Sequence, residues 1–494
     1  MVLAMFPFSS IHSAASKPSE CTACVLFYDH ESNCLSNLSQ LSVDSTALMQ
    51  QTKQLGLTDK RPVLLLPHQE TDMFYVMVQI RHDASAHDLR ALGTSIYKAI
   101  SPTELSDIAL IWPDLSNQSP FTADQCGQIC QGLYGAGYQF TKYLAKPTPV
   151  TERSLTHVSD QRDALMQHFE RAAIMVQGEQ LTKDLMHEPP NMLTPAAFAE
   201  RITALTALGL KVDVMDEKQL LKENMHALLS VGQGSTNPPR LVTVRWCGKT
   251  DDCKDPFALV GKGICFDSGG IDIKLSALTE MKYDMGGAAT VIGAMQVIAR
   301  LKLPINVVGV VALAENMPGG KAYRPSDIIS SRAGKSIEVL NTDAEGRLIL
   351  ADALDYACDM KPSAIVDLAT LTGAIIVGLG HEYAGFFSND DALADRMRDA
   401  ADQSGTKIWQ LPLDKVFDRL MDSPIADVQN LAKPGSGAGS ITAAQFLQRF
   451  VRDIPWAHID IAGTAWIPGS NGVHAKGPTA YGVSLLVDLV NDQL

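Results

Sequence analysis

The chain has 494 residues, 46% hydrophobic and 19% charged, with a formal net charge of −14. That length accommodates two or three domains with substantial cores, of which we expect two, and the apolar content excludes a disordered or low-complexity chain. The acid excess argues against a general affinity for nucleic acid or anionic membrane, and leaves peptides or small molecules as the expected partners.

The N-terminal stretch Met1 to Phe8 is apolar, yet no Lys or Arg precedes Lys17. The charged start of a secretory signal is therefore missing, and secretion is not expected. Cys21-x-x-Cys24 has no second pair at matching spacing and runs into the strand-like Val25-Leu26-Phe27-Tyr28, so it reads as structural rather than as zinc or redox chemistry. The nine cysteines are odd in number and scattered, which predicts reduced thiols, no disulfide framework and a cytoplasmic protein. Pro62 to Leu66, Phe74 to Ile80 and Asp107 to Ile111 read as strands and Asp88 to Ile100 as a helix, giving a smaller N-terminal α/β domain over 1–146. Lys146-Pro147-Thr148-Pro149-Val150 breaks both periodicities. Arg162 to Leu185 then carries Leu165, Phe169, Ala172, Val176 and Leu181 at near-helical spacing and stops before Pro189-Pro190, so 147–185 is expected to be a linker with a connecting helix.

Residues 186–494 form the expected larger catalytic domain. Arg240 to Arg245, Phe257 to Val260, Asn306 to Ala314, Ser336 to Leu340 and Ser363 to Asp367 read as strands with helical runs between them, the pattern of a central, mostly parallel sheet flanked by helices. Ligands of such α/β sheets sit outside the carboxyl ends of the strands. The most apolar stretches, Leu303 to Ala314 and Leu368 to Gly380, are too short to span a bilayer and read as buried strands, so no membrane span is expected.

The octapeptide Asn341-Thr342-Asp343-Ala344-Glu345-Gly346-Arg347-Leu348 places two carboxylates and a guanidinium at alternate positions after the strand-like Ser336 to Leu340. Continued as extended chain, it would set Asp343, Glu345 and Arg347 on one face. A bare pair of acids is more often a solvated loop, but partners lie upstream in Gly261 to Gly270, in Ile273-Lys274 and in Tyr283 to Ala289. A dinuclear hydrolytic site needs hard oxygen donors, one of them able to bridge ions about 3.5–4 Å apart, and Asp267, Asp284, Asp343 and Glu345 meet that demand. Taken singly, each residue has a plainer reading. Asp284 would be an acid at a helix N-terminus, Lys262 a cation neutralising carboxylates, Lys274 a solvated lysine, Arg347 half of an ion pair and Met281 core filler.

The octapeptide resembles, without a change, the N-T-D-A-E-G-R-L signature of the leucyl aminopeptidase family, the cytosolic dinuclear metallo-aminopeptidases. Asn191 to Pro195, Val231 to Ser235 and His458 to Gly463 are similar to family segments too, so the resemblance covers roughly the last three-fifths of the chain. It implies release of N-terminal residues from peptides, apolar ones such as leucine favoured, by attack of a metal-bridging hydroxide. It also implies two divalent ions, Mn2+ or Zn2+. Lys262, Asp267, Asp284, Asp343 and Glu345 would hold them, with Asp267 and Glu345 bridging. Lys274 would stay protonated and stabilise the oxyanion, and Arg347 would hold a bicarbonate. Met281, Asn341, Ala344, Thr370, Leu371 and Gly373 would line the substrate site. As a ligand Lys262 must lose its proton, which costs about 4–5 kcal/mol at neutral pH, a sum that metal binding on the order of 10 kcal/mol can offset. The chain departs from the family pattern at Cys265, Leu275 and Pro478-Thr479-Ala480, and none of these removes a ligand. The resemblance further implies a homo-hexamer in the cytoplasm, while the net charge of −14 weighs against nucleic acid as a partner. The rival readings are a dinuclear metal phosphoesterase and a DNA-binding regulator with an incidental metal site.

Overall fold

The computed structural model describes residues 8, 10–14, 16–18, 21–29, 34–35, 48, 50, 52, 56–58, 60–68, 72–81, 83–113, 121–147, 151–249, 253–470 and 474–492. The apolar N-terminal stretch Met1 to Phe8 falls outside them except for Phe8, as does much of the Pro-containing stretch after Lys146. The chain divides into two compact units, residues 1–176 with 470–475, and 177–469 with 476–494.

The first unit is built on a seven-stranded sheet of β1 (Ser10–Ala14), β2 (Ala23–Asp29), β3 (Cys34–Leu35), β4 (Val63–Pro67), β5 (Phe74–Ile80), β6 (Asp107–Ile111) and β7 (Ser154–Val158). Its order is β1-β7-β6-β2-β5-β4, with β3 against β2, and only the β2–β3 and β4–β5 pairings are antiparallel. The helices Ala86–Ile100 and Ala123–Gly135 both begin with a capping box, at Ser85 and Thr122, which satisfies two of the amide donors that a helix start leaves open. β7 lies in the stretch read from sequence as a linker, yet it pairs with β1 and β6 and so completes this sheet. The helix Arg162–His187 begins in the first unit, and the division falls within it, at Val176/Gln177.

The second unit has an eight-stranded sheet of β8 (Lys211–Met215), β9 (Arg240–Cys247), β10 (Phe257–Asp267), β11 (Asn306–Asn316), β14 (Ala364–Ala369), β15 (Ala384–Ser388), β16 (Ile408–Gln410) and β18 (Trp456–Asp460). Its order is β16-β15-β18-β14-β10-β11-β9-β8. The central four, β18, β14, β10 and β11, are mutually parallel. β11 is buried throughout and β10 nearly so, as expected for parallel strands covered on both faces, which explains their unbroken apolar runs.

Three expectations are corrected. The Ser336 to Leu340 strand is shorter, β13 (Ser336–Glu338), and belongs to a separate three-stranded sheet with β12 (Ile328–Ser330) and β17 (Val428–Gln429). Leu368 to Gly380 is not one strand: after β14, Thr372 accepts a hydrogen bond from the Ile375 amide at 3.2 Å and starts the helix Gly373–Leu379, because a threonine cap offers the backbone a better partner than a continued ladder. Finally, Cys247 and Cys253 form a disulfide. Their Cα atoms lie 4.9 Å apart, a closeness that their spacing alone did not disclose. Cys21, Cys24, Cys126, Cys130, Cys265 and Cys358 are free thiols. Among the described residues no helix is long and apolar enough to cross a membrane.

Candidate metal centre

Lys262 lies in the middle of β10 and Asp267 ends it. Five residues apart, they would point to opposite faces of a regular strand. A bulge between Ile264 and Phe266 changes this: it sets Lys262 opposite Ala312 and Asp267 opposite Asn316, four apart on β11, so the two share a face. Both are buried.

Lys262 Nζ lies 2.8 Å from Asp284 Oδ1 and 3.0 Å from Glu345 Oε1, and donates to the Thr370 carbonyl at 2.8 Å. Asp284 follows the 3-10 turn Leu278–Tyr283 and precedes the helix Gly286–Leu301, and Glu345 immediately precedes the helix Gly346–Cys358. Each acid thus stands at a helix N-terminus, where the macrodipole favours negative charge. Carboxylate oxygens of Asp267, Asp284 and Glu345 all lie within 4.8 Å of one another.

Lys274 Nζ joins Asp267 Oδ2 at 2.7 Å to Asp343 Oδ1 at 2.5 Å. Asp343, with a side chain 34% exposed, therefore meets the cluster through Lys274 and stands outside the triad of close carboxylates. The octapeptide is not extended. Asp343 is in a turn whose amide donates to Asn341 Oδ1 at 2.6 Å, Glu345 has helical backbone angles, and Arg347 is in the first turn of the helix. The alternation expected from sequence is absent because helix initiation at Gly346 displaces it. Asp343 and Glu345 nonetheless reach the upstream lysines through tertiary packing, Asp343 at Lys274 and Glu345 at Lys262.

The loop carrying Lys274 is tied to the octapeptide. Thr342 Oγ1 donates to the Gly269 carbonyl at 2.6 Å, and the Thr342 amide donates to Asp272 Oδ2 at 2.8 Å. Gly269 has φ +90°, and a Cβ there would lie 2.3 Å from the Asp272 carbonyl oxygen, so the turn requires glycine.

Burial raises the pKa of Glu345, Asp284 and Asp343 above the usual carboxylate range, with Asp267 adding to it in each case. Burial also lowers Lys262 and Lys274, but the neighbouring carboxylates, Asp284 and Glu345 around Lys262 and Asp267 and Glu345 around Lys274, outweigh it and hold both above the ordinary lysine value. Arg347 is pushed down to about 10 by burial, against the pull of Glu345 and Asp460.

Orphaned buried atoms test whether the residues suit a metal. Among the described residues Asp284 Oδ2 and Glu345 Oε2 have no hydrogen-bond partner though both are buried, a costly condition for carboxylate oxygens unless a cation takes them. Hard oxygen donors grouped this closely suit divalent ions such as Mn2+, Mg2+ or Zn2+. Arg347 Nε and Nη1 are likewise buried without a partner among the described residues, which leaves two donors of the guanidinium open.

The remaining predicted residues divide. Met281 is half-buried on the 3-10 turn, not in the core. Thr370 contacts the ligand candidates themselves, its hydroxyl donating to Asp284 Oδ1 at 2.7 Å while its carbonyl receives Lys262. The Leu371 amide donates to Asp460 Oδ1 at 3.1 Å, and Gly373 opens the next helix. Asn341 and the buried Ala344 build the turn itself.

Sequence reading missed three supports. Asn316 Nδ2 donates to Asp267 Oδ1 at 2.8 Å and to the Thr342 carbonyl at 3.0 Å. Asn430 accepts from the Leu340 amide at 2.7 Å and donates to the Asn341 carbonyl at 2.7 Å. Asp460 accepts from Leu371 and from the Thr372 hydroxyl, at 2.6 Å. Asn316 and Asp460 both end parallel strands of the central sheet, and that position was the available signal.

Residues 180–487 match the family model described as "Cytosol aminopeptidase family, catalytic domain". The chain is similar to a "Probable cytosol aminopeptidase" of Wolbachia pipientis wMel, 48% identical over 409 residues, covering 81% of this chain and 79% of that protein. Another protein of that description, from Brucella melitensis biotype 1, is 44% identical over 413 residues, covering 82% of this chain and 84% of that protein. Among solved structures, "Bottromycin maturation enzyme BotP in complex with Mn" superposes with a TM-score of 0.83 at 29% identity, covering 96% of this chain and all of that one.

Proposed function

The chain belongs to the cytosol aminopeptidase family and is a metal-dependent aminopeptidase, a hydrolase, and from that premise we propose that two divalent ions are held by Lys262, Asp267, Asp284, Asp343 and Glu345. The observation that carries this reading is the buried approach of Asp267, Asp284 and Glu345 to within 4.8 Å, with oxygens of two of them unpartnered. When bound, such ions supply the Lewis acidity that polarises the scissile carbonyl and acidifies the attacking water. The relative solved with Mn supports Mn2+ as one of the metals.

In this reading Lys262 contributes its neutral amine, and the Thr370 carbonyl, 2.8 Å away, orients it. Lys274 remains protonated, partly exposed at the edge of the cluster, and donates to the oxyanion that develops at the substrate carbonyl. Arg347, whose Nε and Nη1 have no partner among the described residues, would hold a small planar anion such as bicarbonate, which would supply a proton acceptor beside the attacking water. Met281, Thr370, Leu371 and Gly373 line the place of the substrate's first side chain, with Asn341 and Ala344 alongside, and an apolar residue such as leucine is favoured. The relatives' printed name supports a cytoplasmic location, and a homo-hexamer is the proposed assembly. No observation at the site favours a phosphoesterase or a DNA-binding regulator.

The test pairs chelation with blocked substrate. Chelated protein should lose hydrolysis of leucyl peptides and regain it with Mn2+ or Zn2+, and the N-acetylated peptide should be inert at equal metal load. Hydrolysis of the acetylated peptide at a comparable rate would sink the proposal.

A further inference from the structure

The first unit holds a cluster of sulfurs that the aminopeptidase chemistry does not use. Cys21 immediately precedes Thr22 and the start of β2, Cys24 is the second residue of β2, and Met73 immediately precedes β5, the parallel neighbour of β2. Cys21 Sγ lies 3.5 Å from Cys24 Sγ and 3.8 Å from Met73 Sδ, and Cys24 Sγ lies 3.7 Å from Met73 Sδ. The three sulfurs thus form a nearly equilateral triangle. A point equidistant from all three sits about 2.1 Å from each, close to the roughly 2.3 Å of a metal–thiolate bond.

The triangle is held by backbone. The Thr22 amide donates to the Asp107 carbonyl at 2.7 Å, the Thr22 hydroxyl accepts from the Asp107 amide at 2.9 Å, and the Phe74 amide donates to the Thr22 carbonyl at 3.0 Å. On the other side the His68 amide donates to the Met73 carbonyl at 2.8 Å. Cys24 is fully buried while Cys21 and Met73 are partly exposed. Lys17 Nζ donates to Met73 Sδ at 3.7 Å, placing one positive charge beside the sulfurs.

Apolar packing accounts for the burial of Cys24 among Leu26, Leu64, Leu66 and Tyr75, with Cys21 and Met73 packed against the same cluster. It does not require three sulfurs in mutual contact beside an ammonium. Two thiolates and a thioether are a soft donor set of three, which suits Cu(I); Zn2+ takes four ligands and prefers imidazole or further thiolates. One monovalent ion with two thiolates carries a single negative charge, which Lys17 balances.

We propose that Cys21, Cys24 and Met73 form a three-sulfur binding site for one Cu(I) ion. On binding, each S–H bond breaks heterolytically, its proton leaves to solvent and its electron pair is donated to copper. The thioether donates a lone pair, and no atom changes oxidation state.

The test uses the full-length protein with Cys21 and Cys24 as free thiols and the Cys247–Cys253 disulfide intact, with Cu(I) supplied anaerobically as its acetonitrile complex and withdrawn by graded bathocuproine disulfonate. One Cu(I) per chain should be retained. Cys21→Ser and Met73→Leu should each weaken retention by about tenfold or more, at least the loss that accompanies removal of a group supporting a metal ligand. Met73→Leu conserves volume and Cys21 is partly exposed, so both variants should fold, as circular dichroism would verify. X-ray absorption of the wild type should show three sulfur neighbours. Unchanged retention in Cys21→Ser would place the copper elsewhere and overturn the site. So would a two-sulfur shell insensitive to Met73→Leu, preferential retention of Zn2+, or a Cys21–Cys24 disulfide formed with copper left unbound.

Discussion

The Lys262 side chain passes directly over Gly346: a Cβ on that glycine would lie 2.6 Å from Lys262 Cε and 2.7 Å from Nζ. The glycine of the octapeptide is therefore a clearance for a lysine 84 positions earlier in the chain, and it lets the Lys262 amine approach Glu345 and Asp284 together. We expect Gly346→Ala to displace Lys262 and to lower both metal content and turnover. The overpacking should cost about 1–3 kcal/mol, leaving the fold intact. Metal analysis after dialysis, together with urea unfolding, checks this; full metal occupancy and unchanged turnover would show that Lys262 moves aside without consequence.

Lys274 and Glu345 should separate cleanly. Lys274→Ala removes a cation that holds Asp267 and Asp343 but no carboxylate, so metal stoichiometry should persist while turnover falls by about 10²-fold or more, as for a lost oxyanion contact. Glu345→Gln weakens a member of the buried carboxylate triad, so metal stoichiometry should fall together with activity. Metal content measured beside kcat decides between the roles, and a drop in metal for Lys274→Ala would make that lysine structural.

Thr370→Val keeps the carbonyl that receives Lys262 and removes the hydroxyl that donates to Asp284 Oδ1. Loss of a supporting hydrogen bond to a metal ligand typically weakens metal binding by about 10–100-fold. We expect that weakening with little change in KM for leucyl amides once metal is saturating. A large KM increase with unaltered metal affinity would instead assign Thr370 to the substrate pocket alone.

In the first unit His157 is buried, accepting from Trp112 Nε1 at 2.9 Å on Nδ1, with Nε2 2.7 Å from the Tyr134 hydroxyl oxygen. Burial lowers its pKa from 6.5 to about 3. Above pH 6.5 the ring is neutral in both folded and unfolded chains. Below it the unfolded chain takes up a proton that the folded one refuses, so stability is lost as pH falls towards 3. The slope is at most about 1.4 kcal/mol per pH unit, or about 2 kcal/mol between pH 6.5 and pH 5. Urea unfolding at pH 7 and pH 5 should show that loss in the wild type and not in His157→Gln; equal pH dependence in both would remove His157 as the cause.

The sequence by itself determined the family and with it the reaction class, because the octapeptide matches the leucyl aminopeptidase signature without a change, and it supplied the candidate site residues. It determined the long buried strands too, because parallel strands covered on both faces must be apolar along their length, as β10 and β11 are. What it could not determine is how those residues meet. Lys262 and Asp267 have the wrong parity to share a face until the bulge after Ile264 corrects it, and a bulge is a response to pairing with β11. Glu345 reaches Lys262 from a turn and a helix start rather than from an extended strand, since helix initiation depends on what packs around Gly346. Asn316, Asn430 and Asp460 hold the loops in place from segments far along the chain. Met73 closes on Cys21 and Cys24 across 49 positions or more. Such contacts belong to no local pattern, because their free energy is gained only when the sheet brings distant segments together.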